Sequence, residues 1–319
     1  MSAVSVQIVT YNSEQDIVPC LKAVFSQSYP IEKIIIIDNQ SKDRTLELIR
    51  DFRCVKIIKN SHNNGFAGGH NQGFSCSKSD YVLVLNPDVI LDKDYVRNII
   101  RVIEGFPSVG MATGKLYRDK SKKLIDSTGI IIKKNRRAFD RGAGEKDIGQ
   151  YDDNLDLFGV SGAAAVYKRS MIKDISICGQ FYDETFFAYK EDVDVSWRAR
   201  LLGWNALFVP NAVAEHSRGW KEEKKRLGIF LFIRQHSYIN RYFCILKNDR
   251  LPYFLIHIPI ILFYEILSFS YALLKERELL KVWAVFLKEF KQMFKKRRII
   301  QKKRKTSSKK IYSYFKGIW

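Results

Sequence analysis

The sequence predicts an α/β fold: a mostly parallel central sheet flanked by helices, followed by a basic, amphipathic helical extension toward the C-terminal end. Three observations carry that prediction. Short apolar runs end in polar or turn-forming residues at 4–12, 33–39, 54–60 and 81–88. Segments with helical periodicity lie between them. The net charge of +20 is also divided unevenly, since 24 of the 54 basic residues but only 7 of the 34 acidic ones fall at Gly219 or later. Strand–helix–strand alternation implies right-handed crossovers between parallel neighbours, and such sheets bind ligands at the carboxyl ends of their strands.

Taken in order, VSVQIVTYN (4–12) reads as the first strand. Ile17, Cys20, Leu21, Val24 and Phe25 then recur at helical spacing within 13–28, with Ser13 as a suitable N-cap. KIIIIDN (33–39) is apolar without alternation, as in a strand covered on both faces. Leu46, Ile49 and Phe52 share one face of a helix expected over 41–52, and CVKIIKN (54–60) follows as a strand. NNGFAGGHNQG (63–73) reads as a glycine-rich loop that matches neither the Walker nor the Rossmann spacing. YVLVLNPD (81–88) is another doubly covered strand. Residues 115–155, rich in Lys, Arg, Asp and Gly, read as long loops or a short hairpin. LFGVSGAAAVYKRS (157–170) returns to small apolar residues, EDVDVSWRARLLG (191–203) reads as a helix, and NALFVP (205–210) as a short strand. NAVAEHSRGW (211–220) closes the globular part, and the sequence carries no internal repeat.

With 46% hydrophobic and 13% aromatic residues the chain can bury a large core, which excludes disorder for most of it. Its five cysteines are scattered, with no CxxC pair, which argues against a disulfide framework and a structural zinc site. The first residues, MSAVSVQIVTYN, lack the pattern of a signal peptide, so a cytoplasmic protein is expected.

The polar residues at the strand ends carry the chemistry. Asp38 and Asn39 open DNQSKDRT, where a carboxylate can accept the ring N–H of uracil or thymine; Ser41 and Asp43 also suit the capping of the next helix. The glycines of 63–73 permit close backbone approach to a phosphate or sugar, and its asparagines can donate or accept. Asn86-Pro87-Asp88 fits an ordinary Asx–Pro turn, and it also places one carboxylate where a hard divalent cation would find it. Glu191, Asp192 and Asp194 sit in the first turn of a helix. Acidic residues favour that position electrostatically, and a general base would be one of them. His216 fits a satisfied core or surface histidine or, beside Asp88, a second metal ligand.

Each motif is weak alone, but their order is specific. VTYNSE, IIIIDNQSKDRT, NNGFAGGHNQG, VLVLNPDV, GVSGAAAVYKRS, FFAYKEDVDVSWRARLLGW and HSRG together resemble glycosyltransferase family 2, most closely its bacterial rhamnosyltransferase-type members that decorate surface polysaccharides. The resemblance covers residues 3–220 and implies the GT-A fold, the nucleotide-diphospho-sugar transferase type. It implies that Asp38 holds the nucleobase, with Thr10, Tyr11, Asn12, Glu14 and Asn39 around it. It brings Asn64, Gly65, Asn71 and Asn86 to the donor, makes Asp88 and His216 ligands of Mg²⁺ or Mn²⁺, and makes Asp192 the catalytic base of an inverting transfer. The family's first metal-motif aspartate is here Asn86. The implied donor is a nucleotide-diphospho-sugar, dTDP-rhamnose by the subgroup and UDP-hexoses as the alternative. The implied acceptor is a saccharide or a lipid-linked saccharide.

The catalytic domain is therefore expected at 1–220 and a helical, membrane-associating region at 221–319. Residues 251–274 are long and apolar enough to span a bilayer, but His257, Pro259 and Glu265 interrupt them. An acidic residue at the centre of a span costs about 2.5–3.5 kcal/mol. Beyond, Trp283, Phe286, Leu287, Phe290 and Phe294 interleave with Lys281, Lys288, Lys291 and Lys295, as in helices that lie on anionic membranes. Peripheral attachment at the inner face of the cell membrane is the expectation, with a true span or an oligomer-forming helix as alternatives. A nucleotide-binding domain with a polybasic tail also describes a nucleic-acid-binding protein, but nucleic acid has no use for 251–274, and none is expected as partner. A sugar nucleotidyltransferase would want a basic glycine-rich loop where TYNSEQD stands.

Overall fold

A computed structural model of the 319-residue chain describes residues 1–119, 121–217 and 229–318. Arg218 and Gly219 of the HSRG motif, and the expected domain boundary at 220/221, lie outside the described residues.

The first third alternates as the apolar runs dictate: β1 (Val4–Thr10), α1 (Ile17–Phe25), β2 (Lys33–Asp38), α2 (Thr45–Ile49), β3 (Val55–Lys59), α3 (Gly65–Ser75) and β4 (Tyr81–Leu85). β1 lies parallel to β2 and to β4, and β2 parallel to β3. Both faces are covered, which is why Ile34–Ile37 of β2 and all of β4 are apolar. In β4, Leu83 and Leu85 join the core under α1, while Val82 and Val84 join the core under α3.

Four details differ from the sequence reading. Residues 63–73 form most of a helix, α3, rather than a loop. Its glycines serve packing: a Cβ on Gly69 would stand 2.7 Å from Val9, and one on Gly73 would collide with Gln7. α1 begins only at Ile17, because the Ser13 carbonyl accepts the amides of Asp16 and Ile17 in a preceding turn instead of the side chain capping the helix. α2 is a short remnant of the helix expected over 41–52; Asp43 accepts the Thr45 amide at its start, but Ser41 accepts the amide of Asn12 instead. The strand expected at 205–210 runs on to His216.

The chain then adds β5 (Val89–Leu91), α4 (Tyr95–Glu104), β6 (Val109–Tyr117), β7 (Ile125–Ser127), a hairpin of β8 (Ile130–Ile132) and β9 (Ala138–Asp140), β10 (Asp156–Leu157), β11 (Ala164–Lys168), α5 (Arg169–Ile175), α6 (Glu191–Leu201) and β12 (Asn205–His216). The strand order is β10-β12-β6-β11-β4-β1-β2-β3, with β5 against β12 and β7 against β6. β11 runs antiparallel between β4 and β6 and so joins the parallel nucleotide-type half to the parallel β6–β12 pair.

Five helices follow: α7 (Leu231–Asn248), α8 (Leu251–Ile256), α9 (Ile258–Lys275), α10 (Val282–Lys303) and α11 (Ser308–Tyr312). They are not a loose tail. Ile239 and Phe243 of α7, Met293 and Ile300 of α10 and Ile311 of α11 share one core with Trp197 of α6 and Met171 of α5. Lys247 of α7 reaches Asp183 at 2.6 Å and Asp194 at 2.9 Å, Lys296 of α10 reaches Asp183 at 2.6 Å, and all four side chains are buried. Breaking such a pair from one side leaves an uncompensated charge and costs about 3–5 kcal/mol.

The interruptions in 251–274 also find partners. Pro259 stands in the first turn of α9, where its missing N–H is not needed. His257 Nδ1 lies 2.7 Å from Arg136 Nη1, and Glu265 turns inward to Arg241 at 2.6 Å. The outward face of α9 is then largely apolar, with Leu262, Phe263, Ile266 and Phe269 exposed. Among the described residues α9 is the one helix long and apolar enough to cross a bilayer, by length and composition alone. In α10 the aromatic stripe splits: Phe286 stacks on Phe243 of α7, while Leu287, Phe290 and Phe294 face outward.

Candidate active site

The carboxyl ends of the strands carry two depressions. The smaller, about 410 Å³, lies beyond β1 and β2 and is lined by Asn12, Glu14, Gln15, Asp16, Lys42 and Asp43. Its rim is tied together by short-range hydrogen bonds. Asp38, only 1% exposed, accepts the Thr10 hydroxyl at 3.0 Å and the Ser41 amide at 3.0 Å. Asn12, at a φ of 51°, accepts the Lys42 amide, and Glu14 accepts that of Arg44. Asn39 donates to the Gly65 carbonyl, and the Tyr11 ring is half exposed beside them.

The larger cavity, about 1130 Å³, opens beyond β4 and β12. Asn86, Asp88, Asp192 and His216 all line it. Asp88 and His216 are brought together by the β5–β12 pairing: His216 lies opposite Val89 in register, and Nε2 stands 3.4 Å from Asp88 Oδ1. That oxygen is buried with no hydrogen-bond partner. On its other side His216 Nδ1 meets Asp126 of β7 at 2.8 Å. Burial works against charge on this imidazole, but Asp126 and Asp88 outweigh it and raise its pKa to about 9.

This arrangement fits a divalent cation. Two side chains are few, and among the described residues no group of three or more such side chains converges. Mg²⁺-type ions nonetheless take one or two carboxylates and leave other positions to phosphate and water. The orphaned Asp88 oxygen faces the Nε2 of a histidine whose Nδ1 is held by a carboxylate, the pattern that orients metal-bound histidines.

Asp192 opens α6 and accepts the Gly162 amide at 3.2 Å and its neighbour Val193 at 2.7 Å. Burial raises its pKa, against the pull of Lys190 and those amides. Glu191 beside it is pushed well above the ordinary carboxylate range by burial and by the charge of Asp192, and its Oε2 has no partner. Burial thus opposes charge on both members of the pair, and the charge of Asp192 adds to that opposition on Glu191. Asp194, the third acid of the motif, points away to Arg198 and Lys247.

The segment leading into α6 is strained. Phe187, Tyr189 and Lys190 have φ of 59°, 70° and 68°, which costs non-glycine residues of order 1–3 kcal/mol each. Asn240 of α7, fully buried, donates to the carbonyls of Phe186, Ala188 and Tyr189 at 2.9, 2.9 and 2.8 Å. The Ala67 amide holds the Phe187 carbonyl at 3.1 Å, and Gly65 has room against it only because it lacks a Cβ. Asn71 is likewise engaged, donating to the Tyr182 carbonyl and to Glu184. Thus Gly65 and Asn71 of the glycine-rich stretch brace the 182–187 segment and do not line the cavity; neither does Asn64, which flanks the start of α3.

Asp126 and Asn240 belong to no motif that sequence reading singled out. The one signal for Asp126 is a carboxylate directly after the apolar pair Leu124-Ile125 in an otherwise polar stretch.

A largely parallel sheet covered on both faces, with carboxylates gathered at its strand ends, defines an α/β fold whose ligands bind at that edge. The family model described as Glycosyl transferase family 2 matches residues 5–176, and the chain belongs to that family. The poly-beta-1,6-N-acetyl-D-glucosamine synthase of Staphylococcus epidermidis is 28% identical over 222 residues, 67% of this chain and 49% of that protein. The chain thus spans about half the length of the curated relatives it matches. Two solved structures share the fold. The mannosyltransferase PcManGT of Pyrobaculum calidifontis, in complex with GDP-Man and Mn²⁺, has a TM-score of 0.56 at 16% identity over 94% of this chain and 85% of that one. GalNAc-T7 with UDP, GalNAc and Mn²⁺ has a TM-score of 0.59 at 13% identity over 77% and 48%. The GT-A fold expected from the motifs is the fold observed.

Proposed function

We propose that this enzyme transfers a sugar, with inversion, from a nucleotide-diphospho-sugar to a hydroxyl of a saccharide or lipid-linked saccharide in cell-surface polysaccharide synthesis. The observation that carries this reading is the one cavity that contains both the amide-anchored Asp192 and the Asp88–His216 pair. The nucleobase lies at the rim of Thr10, Tyr11, Asn12, Glu14, Asp38 and Asn39. Asp38 uses one lone pair on each oxygen for Thr10 and Ser41 and keeps the others for the ring N–H, while the Tyr11 ring offers a stacking face. Asn86 faces the donor sugar. Asp192 takes the proton from the acceptor hydroxyl as that oxygen attacks the anomeric carbon from the side opposite the diphosphate. Glu191, protonated, keeps a second negative charge away from the nucleophile.

Asp88 and His216 would hold Mg²⁺ or Mn²⁺, with Asp126 fixing the imidazole. A divalent cation there supplies charge neutralisation for the departing nucleoside diphosphate. The Mn²⁺ complexes of the two structural neighbours support this assignment.

For the donor, the motifs favour L-rhamnose from dTDP-rhamnose. The polymerase of N-acetylglucosamine among the relatives favours a second reading, UDP-N-acetylglucosamine. Asp38 would accept the ring N–H of thymine and uracil alike, so the rim itself does not choose between them. Residues 1–220 serve donor and chemistry; residues 221–319 serve the acceptor side and the inner membrane surface, to which α9 and the lysines of α10 are drawn.

The test is turnover and binding of dTDP-rhamnose, UDP-N-acetylglucosamine, UDP-glucose and GDP-mannose, with Mn²⁺ or with chelator, in wild type and Asp192→Asn. Metal-dependent turnover of one donor, lost in the variant while binding persists, is the expected result. Binding of no sugar nucleotide would overturn the reading.

A further inference from the structure

The large cavity does not end at the reacting groups. Beyond Asp192 it continues between the β8–β9 hairpin and α7 and α9. Its far wall, Ile233, Tyr264, Leu267 and Tyr271, is apolar and aromatic, and Leu267 and Tyr271 are also exposed on the outer surface of α9. The cavity therefore opens beside the apolar face of α9.

Between the two ends stands a cluster of arginines. Arg136 is paired with Asp249, Arg234 with Glu276 and Arg241 with Glu265. Arg137 is different. Its guanidinium lies 4.4 Å from the centre of the Phe139 ring and 5.2 Å from that of Tyr264, lines the cavity, and has no carboxylate or hydrogen-bond partner among the described residues. Two aromatic faces hold the cation in place without neutralising it.

Apolar mouth, uncompensated cation and catalytic carboxylate follow one another along a single cavity. We propose that this order reads out the acceptor: a glycan joined through phosphate or diphosphate to a hydrocarbon chain, with the anionic group on Arg137, the hydrocarbon leaving past Leu267 along α9, and the sugar hydroxyl delivered to Asp192. The inference rests on the transferase reading above and names the acceptor class for that site. A planar guanidinium suits phosphate because it donates two parallel N–H bonds. Its place on the hairpin sets the distance between lipid phosphate and reacting hydroxyl, so it would select acceptors by length.

The experiment uses the full chain in uncharged detergent micelles without divalent metal, titrated calorimetrically with farnesyl diphosphate, farnesol and inorganic pyrophosphate. Farnesyl diphosphate should bind best. Arg137→Gln should weaken it ~10- to 100-fold, the worth of a charge-assisted hydrogen bond, with Arg137→Lys recovering part of the loss. Farnesol should not distinguish Arg137→Gln from wild type. Leu267→Glu, at an exposed position that folding tolerates, should weaken farnesyl diphosphate but not pyrophosphate. Lys56→Gln on distant β3 controls for charge and should change nothing.

Equal binding of farnesyl diphosphate by wild type and Arg137→Gln would overturn the proposal, as would an equal loss in Lys56→Gln. Pyrophosphate binding as tightly as farnesyl diphosphate would replace it with a site for free anions. A parallel titration of the wild type with dTDP and UDP plus Mn²⁺ separates the two levels. Failure there sinks the donor reading whatever Arg137 does, whereas nucleotide binding without an Arg137 effect sinks this inference alone.

Discussion

Around Asp38 the polar atoms bond to one another, whereas around Asp88 and Glu191 buried oxygens stand without partners. Both regions lie on the same edge of one sheet. The first is assembled from two loops at adjacent strand ends, bonded to each other, with two positive-φ residues, Asn12 and Gln40. The second draws on β4, β7, β12, α6 and α7, and it includes three left-handed non-glycine residues. The difference separates binding from chemistry. A rim that is complete on its own can receive a base with little rearrangement, while orphaned oxygens and strained backbone persist only where the surrounding fold over-determines them.

Substitutions should split along that line. The largest effect is expected at Asp192: Asp192→Asn should lower turnover by about 10²–10⁴-fold with donor affinity unchanged, measured by single-turnover kinetics and nucleotide titration. Because burial raises the pKa of Asp192, the wild-type rate should climb with pH through a midpoint above the ordinary carboxylate value of about 4. A midpoint at or below that value would remove Asp192 from the base role.

Next comes the buried charge network behind α6. Lys247→Met should destabilise by about 3–5 kcal/mol in denaturant melts, since it removes the one buried cation shared by Asp183 and Asp194 and leaves each with a single cationic partner. Burial opposes ionisation of these two carboxylates, but Lys247, with Lys296 beside Asp183 and Arg198 beside Asp194, outweighs it and holds both below their usual value. A folded-state pKa below the unfolded one gives stability that is full above about pH 4 and drains away as pH falls further. Wild type should lose stability in that acid window, and an acid titration that leaves its melting point flat would contradict the network.

Asn240→Ala should cost about 1–3 kcal/mol in transition-state stabilisation, seen as lower kcat with little change in donor KM. Asn240→Asp, which cannot donate to three carbonyls, should behave alike; a pure stability loss with normal kcat would make Asn240 only a packing residue. The smallest effect is expected at the rim: Asp38→Asn should weaken dTDP or UDP binding by roughly tenfold, the scale of one hydrogen bond to a charged group, and leave kcat at saturation intact.

The same contrast explains what the sequence made legible. The rim lies at the ends of continuous apolar strands, so the apolar runs alone put Thr10 and Asp38 at strand ends. The helical α3 was missed because glycine counts against helix in isolation, and only the strand pressed against Gly69 and Gly73 reverses that preference. Asp126 and Asn240 act across 90 and about 50 residues of chain and leave no local periodicity to find. Glu265 and His257 looked like flaws in a membrane segment because their partners, Arg241 and Arg136, lie elsewhere in sequence.

One last contact bears on how this protein can be handled. The Lys316 amide donates to the Ile132 carbonyl, the Lys134 amide to that of Gly317, and Phe315 bridges to Ile132, so residues 315–317 lie along β8. The hairpin that carries Arg136 and Arg137 is thereby buttoned from behind by the last described residues. A shortened version that stops after 220, or anywhere before 315, removes the buttress of that hairpin. Met1, by contrast, is fully exposed, so an affinity handle joined there leaves the hairpin and its buttress untouched.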